Sequence, residues 1–343
     1  MALRDIPGQQ RVVRFLKQLV RKEAVPHAFL FSGMPGTGKL KTAVELAKTV
    51  NCLELRDFDA CGECAACRKV EQGTHPDILF VRSEGASIKL DQIREVRERF
   101  RFRPFEGKFR VVIIQDAQKL KEEGANAILK VLEEPPKGNI FILLVPESQM
   151  LLPTIVSRCC HVRFQPLGDD IVSDYLVRES GISPEAAAGI ARLAAGSLEK
   201  ARWLTEEERV SGWKKVVENM EKLDGLPIVD LFPMVAEWTK NREAVEQGLE
   251  CIRLWIRDIV LFRLAENHPL TFELNDRTRE AAMRIPSERL FLLYHDIEQA
   301  MQNLKVNANL QMTLEGVCLA VKDSLYGKGD WDSFSKRRQS LPF

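Results

Sequence analysis

The sequence predicts a parallel β-sheet with helices on both faces, followed by a second region built from helices alone. Three observations carry this. Short apolar runs alternate with helical patterns over residues 1–165, the pattern of parallel strands joined by crossover helices. The β-type runs stop after "RFQPLGDD" (163–170), and the remainder reads as helix. A chain of 343 residues is also too long for one compact core.

The elements follow in order. "QQRVVRFLKQLVR" (9–21) sets Val12, Val13, Leu16, Leu19 and Val20 at helical spacing. "HAFLFSG" reads as a buried strand ended by Gly33, and Gly38 to Val50 as a helix. Further strands are expected at 77–81, 110–115 and 139–145, separated by helices at 89–101 and 122–134. Beyond the sheet, Ser183 is placed to N-cap a helix that has Pro184 in its first position. "LECIRLWIRDIVLFRLAE" (249–266) is apolar on more than one face and is expected to be buried among other helices. The closing "GDWDSFSKRRQSLPF" is polar and basic and is expected to be loose.

Composition narrows the function classes. A net charge of +1 argues against nucleic-acid binding through overall charge, while a local basic surface stays open. No apolar run approaches a membrane span, and the first residues lack the pattern of a signal peptide. Four of the eight cysteines cluster within residues 52–67, which suggests a reduced compartment and metal binding more than disulfides. The expected location is cytoplasmic, with no membrane contact.

"GMPGTGKLKT" (33–42) carries the pattern of a phosphate-binding loop. Gly33, Gly36 and Gly38 allow a tight turn whose N–H groups point inward, and Lys39 adds a cation beside a helix N-terminus. Leu40 then stands where a Ser or Thr hydroxyl would hold magnesium. The strand at 110–115 closes on Gln115–Asp116 where Asp followed by Glu is expected, and a carboxamide carries no charge. Thr42, three residues after Lys39, does not occupy the metal-ligand position. Hydrolysis needs that metal and a water-positioning carboxylate, so its loss is the expectation; binding of ATP or ADP stays open.

Cys52, Cys61, Cys64 and Cys67 form a C-x8-C-x2-C-x2-C pattern, whose thiolates suit one tetrahedral, structural zinc ion. Four protein ligands leave no position for a catalytic water. Glu54, Asp57, Asp59 and Glu63 in the loop weigh against a nucleic-acid-reading finger. Cys159, Cys160, Cys251 and Cys318 sit in apolar stretches and are expected in the core. Ser157–Arg158–Cys159 lies between a turn marked by Pro153 and the next β-type run. Local chemistry leaves Arg158 either a solvated cation or an arginine given in trans to a neighbour's phosphate. Arg94, Arg97, Arg99, Arg101, Arg103, Lys108 and Arg110 are interleaved with phenylalanines. The preferred reading is a solvated helix face with its aromatics in the core; phosphate contact with DNA is the alternative.

Taken together, these stretches resemble the delta-prime family of the bacterial DNA polymerase III clamp loader. The matching segments are "GQQRVVRFLKQLV", "HAFLFSGMPGTGK", the four-cysteine loop, "HPDILFV", "IKLDQIREVRERFRFRPFEGKFRVVIIQDAQKL", "GANAILKVLEEPP" and "LLPTIVSRC", with "VNANLQMTLEGVCLAV" resembling the family's last helix. The resemblance implies an AAA+ P-loop core over 1–165, a helical lid over 166–207 and a helical collar over 208–343 that joins five subunits into a ring. The implied partners are gamma/tau and delta subunits, with the sliding clamp and primed DNA reached through the assembly. Catalytic gamma and tau subunits share the zinc loop, so the nucleotide-facing positions must discriminate. A catalytic chain would carry a polar sensor where Val145 and Pro146 stand here, and Arg after "GSL" where Glu199 stands. The resemblance therefore implies a non-hydrolysing subunit, part of a DNA-directed DNA polymerase complex, whose Arg158 completes a neighbour's active site. The alternatives are an active AAA+ ATPase of the gamma/tau type and a free-standing zinc-containing nucleic-acid-binding module.

Overall fold

The computed structural model describes residues 2–83, 85, 87–100, 102–239, 241–265, 270–305 and 308–327. The loose tail expected at 329–343 and the side chain of Arg101 lie outside them.

Helix α1 (Gln10–Arg21) buries Val12 and Leu16, with Val13, Leu19 and Val20 packed half-buried beside them. Strand β1 (Ala28–Ser32) runs into the glycine loop and α2 (Lys39–Val50), and the cysteine loop leads into α3 (Ala65–Glu71). Strand β2 (Ile78–Val81), α4 (Leu90–Phe100), β3 (Arg110–Ile114), α5 (Glu122–Glu133) and β4 (Asn139–Val145) follow. Pro153 does not make a turn here. It occupies the first turn of a short helix, α6 (Pro153–Val156), where its missing N–H costs nothing, and β5 (Cys160–Arg163) comes next.

All strand pairs are parallel, in the order β2-β3-β4-β1-β5. Alternate residues of each strand enter opposite cores, the period of two that a pleated strand imposes. Val112 and Ile114 face α4 and α5 through Ile93, Val96, Ile128 and Leu132. Val111 and Ile113 face α1 and α2 through Leu16 and Leu46. Burial on both faces explains why β3 after Arg110 and β4 after Asn139 read as unbroken apolar runs.

Helices α7 (Asp169–Ser180), α8 (Pro184–Ala194) and α9 (Leu198–Leu204) follow the sheet. Ser183 caps α8 as expected, its hydroxyl accepting the Ala186 N–H at 3.3 Å. The chain divides into two compact units between Trp203 and Leu204. The second is helical: α10 (Glu207–Lys222), α11 (Ile228–Trp238), α12 (Arg242–Leu264), α13 (Asp276–Arg284), α14 (Ser287–Lys305) and α15 (Leu310–Tyr326). Helix α12 is its centre, burying Leu249, Ile252, Trp255, Ile256 and Ile259 on more than one face. Among the described residues no helix is long and apolar enough to cross a membrane.

Candidate functional site

The glycine loop sits at the carboxyl end of β1, where an open parallel sheet presents ligands to the following helix N-terminus. Two of its glycines, Gly33 and Gly36, are required by close packing as well as by the turn. Gly36 has φ +78°, and a Cβ there would lie 2.2 Å from Ser197 Oγ and 2.7 Å from the Glu199 nitrogen. A Cβ on Gly33 would lie 2.5 Å from the Phe164 carbonyl oxygen. Gln9, the residue just before α1, braces the loop, its Nε2 donating to the carbonyls of Thr37 (3.2 Å) and Gln165 (2.7 Å).

Lys39 turns back into its own loop, donating to the carbonyls of Gly33 and, at 2.8 Å, Met34. Burial pushes its amine down to about 8, against the opposing pull of Glu199 and Asp116. The Thr42 hydroxyl donates to the Gly38 carbonyl at 2.9 Å and so is bonded within its helix.

A cavity of about 590 Å³ opens over this loop. Leu40, Gln115, Val145, Pro146 and Glu199, singled out separately in the sequence, all line it beside Gly36, Gly38 and Lys39. The tertiary structure therefore gathers every departure from a magnesium-assisted site onto one set of walls. Two further cations line the same cavity, Lys41 and Arg202. Arg202 lies one helical turn beyond Glu199 on α9, with its guanidinium 5.1 Å from the Tyr175 ring centre. The i, i+3 spacing from Glu199 is the local signal that sets it on the same wall.

The four cysteines converge, with all their sulfurs within 4.8 Å of one another. Cys61 and Cys67 sulfurs are 3.9 Å apart, and Cys67 and Cys52 sulfurs 3.7 Å. Metal–sulfur bonds of about 2.3 Å in a tetrahedron place sulfurs about 3.8 Å apart, so the donor set can hold a metal ion. Cys64 caps α3; burial works to raise its thiol, but hydrogen bonds from Cys67, Leu53 and neighbouring groups bring it to about 6. Asp59, in sequence one of four acids in this loop, has a structural role. It is buried, and its carboxylate accepts the N–H groups of Leu3 (3.0 Å), Arg4 (3.0 Å) and Ala60 (2.8 Å).

Arg158 follows α6 and does not line the chain's own cavity. Its Nη2 lies 2.9 Å from Glu133 Oε1, and its Nη1 donates to the Thr154 carbonyl at 3.0 Å.

The basic stretch corrects two expectations. Arg110 is buried, pairing with Asp77 at 3.2 Å and donating to the carbonyls of Arg99, Phe102 and Arg103, so it holds the end of α4 and the start of the loop at 102–103 and offers nothing to DNA. Asp77 also accepts N–H bonds from Phe105, Glu106 and Gly107. Phe100 enters the core, but Phe102 and Phe105 stand 70% and 83% exposed, because that loop is pinned by its backbone instead of its rings. Arg94 and Arg99 pair with Asp91 and Glu95 on the solvated face of α4. Cys251 and Cys318 are buried as expected, whereas Cys159 and Cys160 are only half-buried.

A five-stranded parallel sheet with a glycine loop after its first strand, and a helix resting on that loop, defines a P-loop module of the AAA+ class. The family described as "DNA polymerase III, delta subunit" matches residues 8–168. DNA polymerase III subunit delta' of Bacillus subtilis (strain 168) is 30% identical over 319 residues, covering 92% of this chain and 96% of that protein. DNA polymerase III subunit tau of Escherichia coli (strain K12) is 29% identical over 337 residues, covering 91% of this chain but 52% of its own length. A solved gamma subunit-related protein from Thermotoga maritima covers 91% of this chain and 98% of its own, at 18% identity and a TM-score of 0.46. The chain belongs to the DNA polymerase III delta' family of clamp-loader subunits.

Proposed function

We propose that this chain is a non-hydrolysing subunit of the DNA polymerase III clamp loader that supplies Arg158 in trans to a neighbouring ATPase subunit. One observation carries the reading. Leu40, Gln115, Pro146 and Glu199 share one cavity, so a leucine stands at the magnesium-hydroxyl position, a carboxamide stands ahead of Asp116 at the strand end, and a carboxylate replaces the cation after "GSL". Arg158, outside that cavity and 37% exposed, keeps the chemistry a neighbour's nucleotide needs. A guanidinium beside a transferring phosphoryl group stabilises the charge that develops in the transition state, without any bond made or broken by the arginine itself.

In this reading residues 166–207 are a lid and 208–343 a collar that joins gamma/tau and delta subunits in a five-membered cytoplasmic ring, which loads the sliding clamp on primed DNA. Cys52, Cys61, Cys64 and Cys67 hold zinc as a structural ion, since four thiolates leave it no open position. Gly33, Gly36, Gly38 and Lys39 retain a phosphate-shaped loop.

The test is a pair of ATPase measurements. The isolated chain is expected to hydrolyse ATP no faster than its Lys39→Ala variant. In a loader reconstituted with gamma/tau and delta, Arg158→Ala is expected to leave assembly intact and lower DNA-stimulated hydrolysis. Hydrolysis by the isolated chain above the Lys39→Ala control would favour the second reading, an active ATPase of the gamma/tau type. Lys41 and Arg202 beside Lys39 in the cavity are the observation that speaks for it.

A further inference from the structure

Arg158 is held by its own chain. Its Nη2 lies 2.9 Å from Glu133 Oε1, and its Nη1 lies 3.0 Å from the Thr154 carbonyl and 3.5 Å from Ser157 Oγ. Glu133 is the last residue of α5, so the partial negative charge of the helix C-terminus adds to its carboxylate. Both members of the pair reach solvent, at 37% and 51% exposure, so the contact lies open to an incoming anion.

We propose that Glu133 is a cis counter-ion for Arg158, and that a neighbour's nucleotide engages the arginine by displacing this carboxylate. The inference rests on the reading of Arg158 as an arginine acting in trans. A guanidinium presents a planar fork that a carboxylate edge or a phosphate edge can fill, and both compete for the same N–H groups. The nucleotide carries the larger charge, and a carboxylate left beside it would repel it. An exposed ion pair holds its partners weakly, which suits a contact that must yield. Glu133 then acts as a positioning residue. It keeps the arginine on the surface of α5 and α6 until a phosphate arrives, and it subtracts from nucleotide affinity by the strength of the pair. Competition of this kind weakens the ground state and the transition state equally, so it raises the KM of the ring and leaves kcat alone.

The experiment uses the reconstituted loader with ATP. Glu133→Gln keeps the side-chain shape and removes the charge; Glu134→Gln removes the same charge one residue away, at the exposed end of the same helix. Glu133→Gln is expected to lower KM by about twofold to fivefold, the range that an exposed ion pair spans, with kcat unchanged. Glu134→Gln is expected to change neither, and the Glu133→Gln effect is expected to vanish in an Arg158→Ala background. An unchanged KM, a fall in kcat, or the same KM shift without Arg158 would overturn the proposal. If Arg158→Ala slows hydrolysis while Glu133→Gln moves nothing, only the counter-ion role fails. If Arg158→Ala itself leaves hydrolysis unchanged, the trans reading fails and takes this inference with it.

Discussion

The backbone N–H of Leu198 donates a 3.0 Å hydrogen bond to the carbonyl oxygen of Gly36, so helix α9 begins on the phosphate loop itself. The contact couples a loop shaped for phosphates to a helix whose second residue, Glu199, is acidic. It also decides what residue 36 can be.

Gly36→Ala is expected to destabilise the first unit by about 1–3 kcal/mol, since the added Cβ meets Ser197 Oγ and backbone at a positive φ. Thermal denaturation of the isolated chain measures the loss. Hydrogen exchange should place the added opening at residues 197–202.

Asp77→Asn tests the buried pair with Arg110. Burial works to raise the Asp77 carboxyl, but the N–H groups of Glu106, Gly107 and Phe105 and the Arg110 charge together hold it below its ordinary 3.8. A depressed native value means this stabilisation is complete above the unfolded value and is lost as pH falls through the native one. The variant should lose about 3–5 kcal/mol at pH 7, because it leaves Arg110 buried without its counter-charge. Urea midpoints should show that gap narrowing below about pH 4.

Lys39 gives the opposite pH window. Its amine is lowered from 10.5 to about 8, chiefly by burial, so the folded state disfavours the charged form below 8 and the penalty is relieved as pH rises to 10.5. Comparison with Lys39→Met by urea unfolding should therefore shift in favour of the natural chain between pH 8 and 10. A difference that stays flat across that range would count against a buried ammonium.

The cysteine loop should bind about one zinc per chain, measured by metal analysis, and Cys61→Ser should lower that content. Affinity should fall as pH drops, because bound thiolates must compete with protons. Chelation should speed hydrogen exchange at Leu3 and Arg4, whose N–H groups are held by Asp59 of that loop. Asp59→Ala should reproduce this with metal still bound, at a cost of about 1–3 kcal/mol for the orphaned N–H groups.

Much of the fold was legible because its signals are local. Four-residue runs such as "VVII" (111–114) are apolar throughout because both faces of a parallel sheet are covered, and Ser183 with Pro184 marks a helix start by its own chemistry. The glycine loop and the cysteine spacing could likewise be read from short stretches. Asp59, Asp77 and Arg110 could not, since charged residues in loops and at strand starts look alike whether solvated or buried. The exposure of Phe102 and Phe105 was missed for the same reason: the bonds that pin their loop come from Asp77, 28 residues from Phe105 in sequence.

The sequence alone determined the order of strands and helices and the residue types at each chemical position, because propensity, periodicity and motif spacing act within a few residues. Only the tertiary structure decided which of those positions meet. It placed Leu40, Gln115, Pro146, Glu199 and Arg202 on one cavity and set Glu133 against Arg158. Those meetings depend on the strand order β2-β3-β4-β1-β5 and on the docking of α9 on the loop, long-range pairings that burial of a shared core selects and no local pattern encodes.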